Sequence, residues 1–191
     1  ILPIGDWVMH AACRQAQAWR QAGLQPVPVL VNLSAMQLTR GNVVALVERA
    51  LADTGLPPEG LCVEITESTL MERVDDVLPM LHRLREIGVR IAVDDFGTGY
   101  SSLAYLSQLP LNVLKIDRSF VQAADREHHP AVITKAVINL ARDLGLMVVA
   151  EGVETQSQLD WLRGQGCNAY QGFLRFPPLP PGRFVEEVLS A

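Results

Sequence analysis

The feature that most constrains the fold is the alternation of short apolar runs with amphipathic helical segments along the 191-residue chain. The apolar runs predict strands at 27–34, 61–67, 90–96, 113–117, 147–153 and 169–174. The periodic segments predict helices at 5–22, 41–54, 74–87, from Ser101, and at 130–144, 155–165 and 181–189. Near-continuous apolar strands that alternate with helices are typical of a parallel sheet covered by helices. The sheet can be a closed barrel or an open doubly wound sheet.

The number of strand–helix units favours an incomplete barrel. About six units are present, whereas a closed eight-stranded (β/α) barrel takes about 250 residues. No linker, internal repeat or low-complexity tract divides the chain, so we predict a single domain over 1–191. The chain begins at Ile1 without a methionine and enters a helical pattern within six residues. We therefore expect a TIM-like α/β barrel that lacks its first βα segment at the N-terminus.

Proline 79 adds one constraint on the helix at 74–87. A proline is tolerated in the first turn of a helix but breaks a hydrogen bond further inside. We therefore expect that helix to begin just before Pro79.

Charge and composition exclude several classes of protein. The formal net charge is −5, and no basic face is available for a DNA or RNA duplex. Cys13, Cys62 and Cys167 lie far apart in apolar runs and are predicted to be reduced thiols without structural zinc. No apolar run approaches the roughly 18 residues that a membrane span requires, and we expect no signal peptide before the domain. These features predict a cytoplasmic protein.

Polar side chains occur at the C-terminal end of each predicted strand. They are Asn32, Glu64, the pair Asp94 and Asp95, Lys115, Glu151 and Gln171. On a closed barrel these positions converge on the C-terminal rim, where barrel enzymes place their active sites. On an open sheet they lie in a row, and only those at a switch point share a ligand.

These residue types suit metal-assisted chemistry on a phosphate ester. Carboxylates brought close together repel one another unless cations neutralise them, and oxygen ligands suit Mg²⁺ or Mn²⁺. The adjacent Asp94 and Asp95 fit two ions about 3.5–4 Å apart, as in two-metal displacement at phosphorus. Lys115 can stabilise phosphate charge, and Glu151 can be a metal ligand or a general base. A single strand-end acid is more often a helix cap or an ion-pair partner, but six strand ends in succession favour an active site.

Two similarities to nucleotide-binding motifs are rejected. The segment 97–102 follows a strand like a dinucleotide fingerprint, but Ser102 replaces the third glycine and two acids precede the segment. Asp95-Phe96-Gly97 is similar to a kinase magnesium motif, but the glycine-rich and catalytic loops of kinases are absent from the sequence.

The combined motifs resemble the EAL domains, which are bacterial cyclic di-GMP phosphodiesterases. The resemblance rests on Val31-Asn32-Leu33-Ser34, Glu64-Ile65-Thr66-Glu67-Ser68, the segment from Asp94 to Leu103, Leu114-Lys115-Ile116-Asp117, the segment from Val149 to Thr155, and Gln171-Gly172. It implies hydrolysis of cyclic di-GMP to linear pGpG with a pair of Mg²⁺ or Mn²⁺ ions as the cofactor.

The resemblance also implies roles for individual residues. Asn32, Glu64, Asp94 and Asp95 match the metal ligands of the family. Lys115 matches the lysine near the attacking water, Glu151 the glutamate assigned as base or second-metal ligand, and Gln171 the glutamine of the site. Glu67 matches the glutamate that holds the loop after the aspartate pair, and Glu154 a further glutamate of the motifs. That loop runs from Phe96 through Gly97, Thr98 and Gly99 to Ser102, and the resemblance implies a part in dimerisation and metal binding.

The departures from the family pattern lie mostly at the two ends. The Glu-Ala-Leu signature and a nearby substrate-binding arginine are absent, and we expect both in the missing first segment. Met36 stands where arginine is common, and Arg175-Phe176-Pro177-Pro178 replaces the usual final pattern. We expect the complete domain to be active and the 191-residue piece alone to be weak or inactive.

Other functions and partners stay open at this point. The alternatives are a catalytically silent cyclic di-GMP receptor, a protein-docking module, or a barrel enzyme that acts on another phosphodiester. The family pattern further implies a homodimer and an upstream sensory or diguanylate-cyclase-like (GGDEF-type) domain.

Overall fold

The computed structural model describes residues 1–25, 27–98, 106–124 and 128–189. The strands in these ranges are β1 (Val29–Asn32), β2 (Leu61–Thr66), β3 (Arg90–Phe96), β4 (Val113–Ile116), β5 (Met147–Ala150) and β6 (Ala169–Tyr170). The helices are α1 (Leu2–Gln21), α2 (Ala35–Arg40), α3 (Val43–Thr54), α4 (Glu67–Glu72), α5 (Val74–Ile87), α6 (Arg118–Ala123), α7 (His128–Asp143), α8 (Gln156–Gly164) and α9 (Pro181–Phe184). A 3₁₀ turn at Pro58–Gly60 precedes β2, and a π-helical segment at Val185–Leu189 follows α9.

The chain forms two compact units, of which the first comprises Ile1–Ile65, Asp75–Ile91 and Pro178–Ala191. In this unit β1 and β2 are parallel, with a regular register from Val29 opposite Leu61 to Asn32 opposite Glu64. Helix α1 packs on α3 and on β1, and the ring of Trp19 stacks on that of Phe184. The core of the unit is apolar, because its strand and helix faces bury Met9, Val47, Leu61, Val63, Leu81 and Leu84.

The second unit comprises Thr66–Val74 and Ala92–Pro177. Here the strands from the Ala92–Phe96 part of β3 to β6 are parallel and lie in chain order. Helix α7 packs on β4 and β5, and α6 packs on α7. The buried side chains that fill this unit include Leu114, Ile116, Ile138, Val148 and Leu162.

The six predicted strands are all present, with differences at their ends. The sixth strand is shorter than the predicted 169–174, because only Ala169 and Tyr170 pair with β5. The strand predicted at 147–153 ends at Ala150, where the chain turns through Gly152 with a φ of 67°. Beyond these two strand ends, the backbone forms hydrogen bonds between loop residues and not within a regular strand pair.

Three short helices begin within three residues of a strand end and were not predicted. Helices α2, α4 and α6 have six residues each, too few for an apolar period to be recognised. Their local signals are capping residues: Ser34 caps α2, and Asp117 caps α6 through the amide of Ser119. The helix predicted from Ser101 lies outside the described residues.

The expectation for Pro79 is wrong. Helix α5 begins at Val74, so Pro79 lies within it instead of at its start. Proline has no N–H to donate to the carbonyl of Asp75, four residues earlier. Both residues are exposed, which leaves that carbonyl accessible to water and reduces the cost of the missing bond.

Two structural findings concern the cysteines and the helices. Cys13, Cys62 and Cys167 are reduced thiols, the first two buried. Among the helices of the described segments, none combines the length and the apolar character that a membrane crossing requires.

Candidate active site

In the first unit, the structure places Asn32 and Glu64 side by side. Asn32 is the last residue of β1 and lies opposite Glu64 of β2 in the parallel register. The N–H of Leu33 donates to the carbonyl of Glu64 at 2.8 Å, which continues the ladder past the end of β1. Asn32 is exposed and Glu64 is buried. This strand end therefore offers an amide oxygen and a carboxylate on neighbouring strands.

In the second unit, a lysine links two of the predicted acids. The Nζ of Lys115 lies 3.0 Å from Oδ1 of Asp94 and 2.5 Å from Oε1 of Glu151. Lys115 is only 4% exposed, and its position in the middle of the sheet follows from its place in β4, between β3 and β5. A buried ammonium is stable only when it is paired, and here two carboxylates pair with it.

The end of β3 is irregular in a way that brings Asp94 and Asp95 together. Successive side chains of a regular strand point to opposite faces of the sheet. The pairing of β3 with β4 shifts between Val93 and Phe96, and Asp95 has a φ of 54° in the left-handed region. The N–H of Asp95 donates to Oδ1 of its neighbour Asp94 at 3.1 Å. Bulges of this kind re-aim side chains beside active sites.

The result is a compact group of oxygens, called here the carboxylate cluster: Asp94, Asp95 and Glu151. One carboxylate oxygen of each lies within 4.8 Å of those of the other two. Three such groups carry more negative charge than the single ammonium of Lys115 neutralises. The donors are all oxygen, the type that hard divalent cations prefer. The cluster therefore fits a divalent metal ion.

Burial shifts the acidity of two members of the cluster. The pKa of Glu151 is raised mainly because burial disfavours its charged form, with Lys115 opposing the shift and Asp94 adding to it. The pKa of Asp95 is raised by burial first and by the charge of Asp94 second. Glu151 is thus a more basic carboxylate than one in water.

Glu67 supports the chain that follows the aspartate pair. Its side chain is fully buried, and Oε2 accepts a hydrogen bond from the N–H of Gly97 at 2.7 Å. Gly97 has a φ of 104°, which glycine adopts without strain. Thr98 closes the turn, because its hydroxyl donates to the carbonyl of Asp95 at 2.9 Å. Phe96 is buried, and Gly99 lies outside the described residues.

The other two predicted site residues, Glu154 and Gln171, are exposed and lie beside the segment that carries Glu151. Gln171 follows β6, and its backbone bonds to both sides of that segment: its N–H donates to Ala150 and its carbonyl accepts from Val153. The carboxylate of Glu154 accepts from Nε2 of Gln122 at 3.3 Å. Neither belongs to the carboxylate cluster.

One residue of this region, Gln158, was missed from the sequence. It is 4% exposed and bonds to the backbone of Glu154, Thr155 and Gln122. The pattern of threonine followed three residues later by glutamine is a capping-box signal that could have identified it.

Residues 1–178 match the family model of the EAL domain. The chain therefore belongs to the EAL domain family.

Curated relatives agree with this assignment. The bifunctional diguanylate cyclase/cyclic di-GMP phosphodiesterase MucR of Pseudomonas aeruginosa is 44% identical over 188 residues, which are 98% of this chain and 27% of that protein. The cyclic di-GMP phosphodiesterase NbdA of the same species is 46% identical over 188 residues, 98% of this chain and 24% of NbdA. The chain thus spans about a quarter of the length of these relatives.

A solved structure described as the PaMucR phosphodiesterase in a c-di-GMP complex matches with a TM-score of 0.93 and 44% identity. The match covers 96% of this chain and 74% of that one. It confirms the predicted fold class, a TIM-like (β/α) barrel, of which the described residues contain six strands, fewer than the eight of a closed barrel.

Proposed function

We propose that this chain is the catalytic part of a metal-dependent phosphodiesterase that hydrolyses cyclic di-GMP to linear pGpG. The observation that carries the proposal is the carboxylate cluster with Lys115 bonded to two of its members. The names of MucR and NbdA, at 44% and 46% identity over 98% of the chain, support the choice of substrate.

The proposal assigns the metal to the strand-end oxygens. Asp94, Asp95 and Glu151 would hold a divalent ion through the cluster, and Asn32 and Glu64 are assigned as further ligands by the family resemblance. Mg²⁺ or Mn²⁺, as a pair of ions, is the proposed cofactor, because the ligand atoms are all oxygen. When bound, such ions supply charge neutralisation at the phosphate and a more acidic attacking water.

Two side chains of this site would then have separate roles: one would position the charged groups, and the other would accept a proton. Lys115 holds the carboxylates of Asp94 and Glu151 in fixed places and brings one positive charge to the phosphate. Glu151 would accept the proton of the attacking water, a role that suits a carboxylate whose pKa is raised by burial. The leaving 3′ oxygen departs as the water oxygen bonds to phosphorus, which opens the ring to the linear dinucleotide.

Residues outside the cluster would have supporting roles. Glu67 would fix the turn after the aspartate pair through Gly97, together with Phe96 and Thr98. Gln171, whose backbone bonds to Ala150 and Val153, and Glu154, three residues after Glu151, would support the segment that carries Glu151. Dimerisation, an upstream sensory or GGDEF-type domain and a cytoplasmic location stay predictions of the resemblance and the composition.

The test is an assay of cyclic di-GMP hydrolysis by the complete protein with Mg²⁺ or Mn²⁺, in which pGpG is measured. Asp94→Asn keeps the shape of the side chain and removes its charge, and we expect it to abolish turnover. Asp143→Asn, at an exposed acid of α7, is the matched control and should behave as wild type.

The same assay separates the alternatives. If the wild-type protein binds cyclic di-GMP but does not hydrolyse it, the proposed enzymatic activity is contradicted and the domain is a receptor. Neither binding nor turnover indicates a domain that docks a protein.

A further inference from the structure

The segment that carries Glu151 is held at its far end by a buried amide side chain. Glu151 begins a five-residue connection, 151–155, between β5 and α8. Its near end is fixed by backbone bonds: Glu151 donates to the carbonyl of Ile116 at 3.1 Å, and Val153 donates to Gln171 at 3.1 Å. At the far end, Oε1 of Gln158 accepts from the N–H of Glu154 at 2.9 Å and from that of Thr155 at 3.0 Å. A carbonyl oxygen has two lone pairs, and both are used here.

Gln158 also reaches the element that follows Lys115. Its Nε2 donates to the carbonyl of Gln122, in the last turn of α6, at 3.4 Å. The side chain of Gln122 in turn donates to the carboxylate of Glu154 at 3.3 Å. Gln158, Gln122 and Glu154 thus form a closed ring of hydrogen bonds, the glutamine ring. Helix α6 starts at Arg118, three residues after Lys115, so the ring joins the chain after β4 to the chain after β5.

The comparison with a second capping box shows that these bonds exceed what a helix cap needs. Gln37 occupies the same position in the box that begins α2 and is equally buried, at 4% exposure. Its Oε1 accepts from the N–H and the hydroxyl of Ser34, the capping residue of the same box. Gln158 accepts from its capping residue Thr155 as well, but it adds the bonds to Glu154 and Gln122.

Close backbone packing leaves the connection little room to move elsewhere. A Cβ at Gly152 would collide with Cβ of Arg118, the first residue of α6. A Cβ at Gly172 would collide with the backbone of the fully buried Val153. The 2.5 Å ion pair of Glu151 with Lys115 joins the same two stretches of chain, because Lys115 lies shortly before α6 and Glu151 begins the connection.

We infer that Gln158 is a positioning residue for Glu151. It fixes the connection 151–155 against α6 through the glutamine ring, and so sets the carboxylate of Glu151 relative to Lys115. The inference rests on the proposed hydrolysis of cyclic di-GMP for its catalytic consequence. The structural part of the inference, that the glutamine ring immobilises the connection 151–155, holds whether or not the protein has that activity.

The experiment compares Gln158→Met with wild type in the complete protein, by amide hydrogen exchange and by steady-state hydrolysis of cyclic di-GMP. Methionine fills a similar volume without polar atoms. We expect the amides of Glu154 and Thr155 to exchange faster. We also expect kcat to fall by about 10- to 100-fold with a smaller change in KM, since a 1 Å misplacement costs about 100-fold. Asn42→Ala, which removes the capping side chain of α3, is the matched control for a lost cap.

The control should lower the melting temperature without altering exchange at Glu154 and Thr155, and it should leave kcat within about twofold of wild type, less than the effect of misplacement. If Gln158→Met fails to fold, Gln158→Glu replaces it. Glutamate is an accepted capping-box residue and keeps the acceptor oxygen but loses the donor to Gln122. It should lower kcat more than the control does.

Unchanged exchange at Glu154 and Thr155 in Gln158→Met would overturn the inference, as would faster exchange with a wild-type kcat in that variant or a wild-type kcat in Gln158→Glu. A wild-type protein without turnover would instead contradict the proposed function. In that case the exchange comparison alone still decides whether Gln158 immobilises the connection.

Discussion

The ends of β1 and β3 present polar side chains in two different ways. At the end of β1, Asn32 lies in a regular parallel register opposite Glu64, and the ladder continues through Leu33. At the end of β3, the register shifts and Asp95 adopts a left-handed conformation, so that adjacent aspartates join one cluster. A regular strand end supplies one side chain to a face of the sheet, whereas a broken one supplies two.

The largest expected effect tests whether the carboxylate cluster does chemistry that the Asn32–Glu64 pair does not. Glu151→Gln keeps the shape and a bond to Lys115 but cannot accept a proton. We expect kcat for cyclic di-GMP to fall by about 10²- to 10⁴-fold, the usual contribution of a general base. Nucleotide binding measured with Ca²⁺ should be largely retained. Near-normal turnover by this variant would contradict the role of Glu151.

The second prediction separates the backbone at Asp95 from its charge. Asp95→Asn and Asp95→Val should both lose most hydrolysis, because each removes a carboxylate from the cluster. Only valine should also cost about 1–2 kcal/mol of unfolding free energy, since a β-branched residue is strained at a φ of 54°.

Asn32→Val is the control for that comparison. The extended backbone of β1 suits a β-branched side chain, so the free energy of unfolding should change little. Equal destabilisation at both positions in urea melts would remove the distinction between the two strand ends.

A smaller effect is expected at Gly152, directly after Glu151. Gly152→Ala should lower the free energy of unfolding by at least about 1 kcal/mol, because alanine is strained at a φ of 67° and its Cβ meets Arg118. Gly164→Ala, in α8 with open space around it, should be neutral or slightly stabilising. Urea denaturation of both variants measures the difference, and an equal response would show that Gly152 is not constrained.

The smallest effect concerns the thiols. Burial raises the pKa of Cys13 to about 11, so its reactive thiolate is scarce at pH 8. Cys167 is only partly buried, and we expect maleimide to label it before Cys13. Peptide mapping of the labelled native protein gives the order. Labelling of Cys13 first would indicate that α1 opens readily.

The sequence was sufficient for the positions of the strands along the chain and for the polar residues at their ends, because apolar runs and the polar residue after each run are local signals. It was also sufficient for the long helices, whose apolar faces repeat over three or more turns. It was insufficient where the outcome depends on packing. The shift of register at Asp94 and Asp95 depends on the neighbouring strand, and Pro79 is tolerated because its face of α5 is exposed.

The glutamine ring shows the same limit at the site. The capping box of Thr155 and Gln158 is visible in the sequence, but the bond from Gln158 to Gln122 joins residues 36 positions apart. No local pattern predicts such a bond. The ion pairs of Lys115 likewise follow from the order of β3, β4 and β5 in the sheet.

The most direct test of the account is the hydrolysis of cyclic di-GMP by the complete wild-type protein, before and after removal of divalent ions with EDTA. We predict pGpG formation with Mg²⁺ or Mn²⁺, loss of turnover with EDTA, and recovery when Mn²⁺ is added back. Turnover that persists in EDTA, or no pGpG with either metal, would contradict the proposal that the strand-end carboxylates form a metal-dependent phosphodiesterase site.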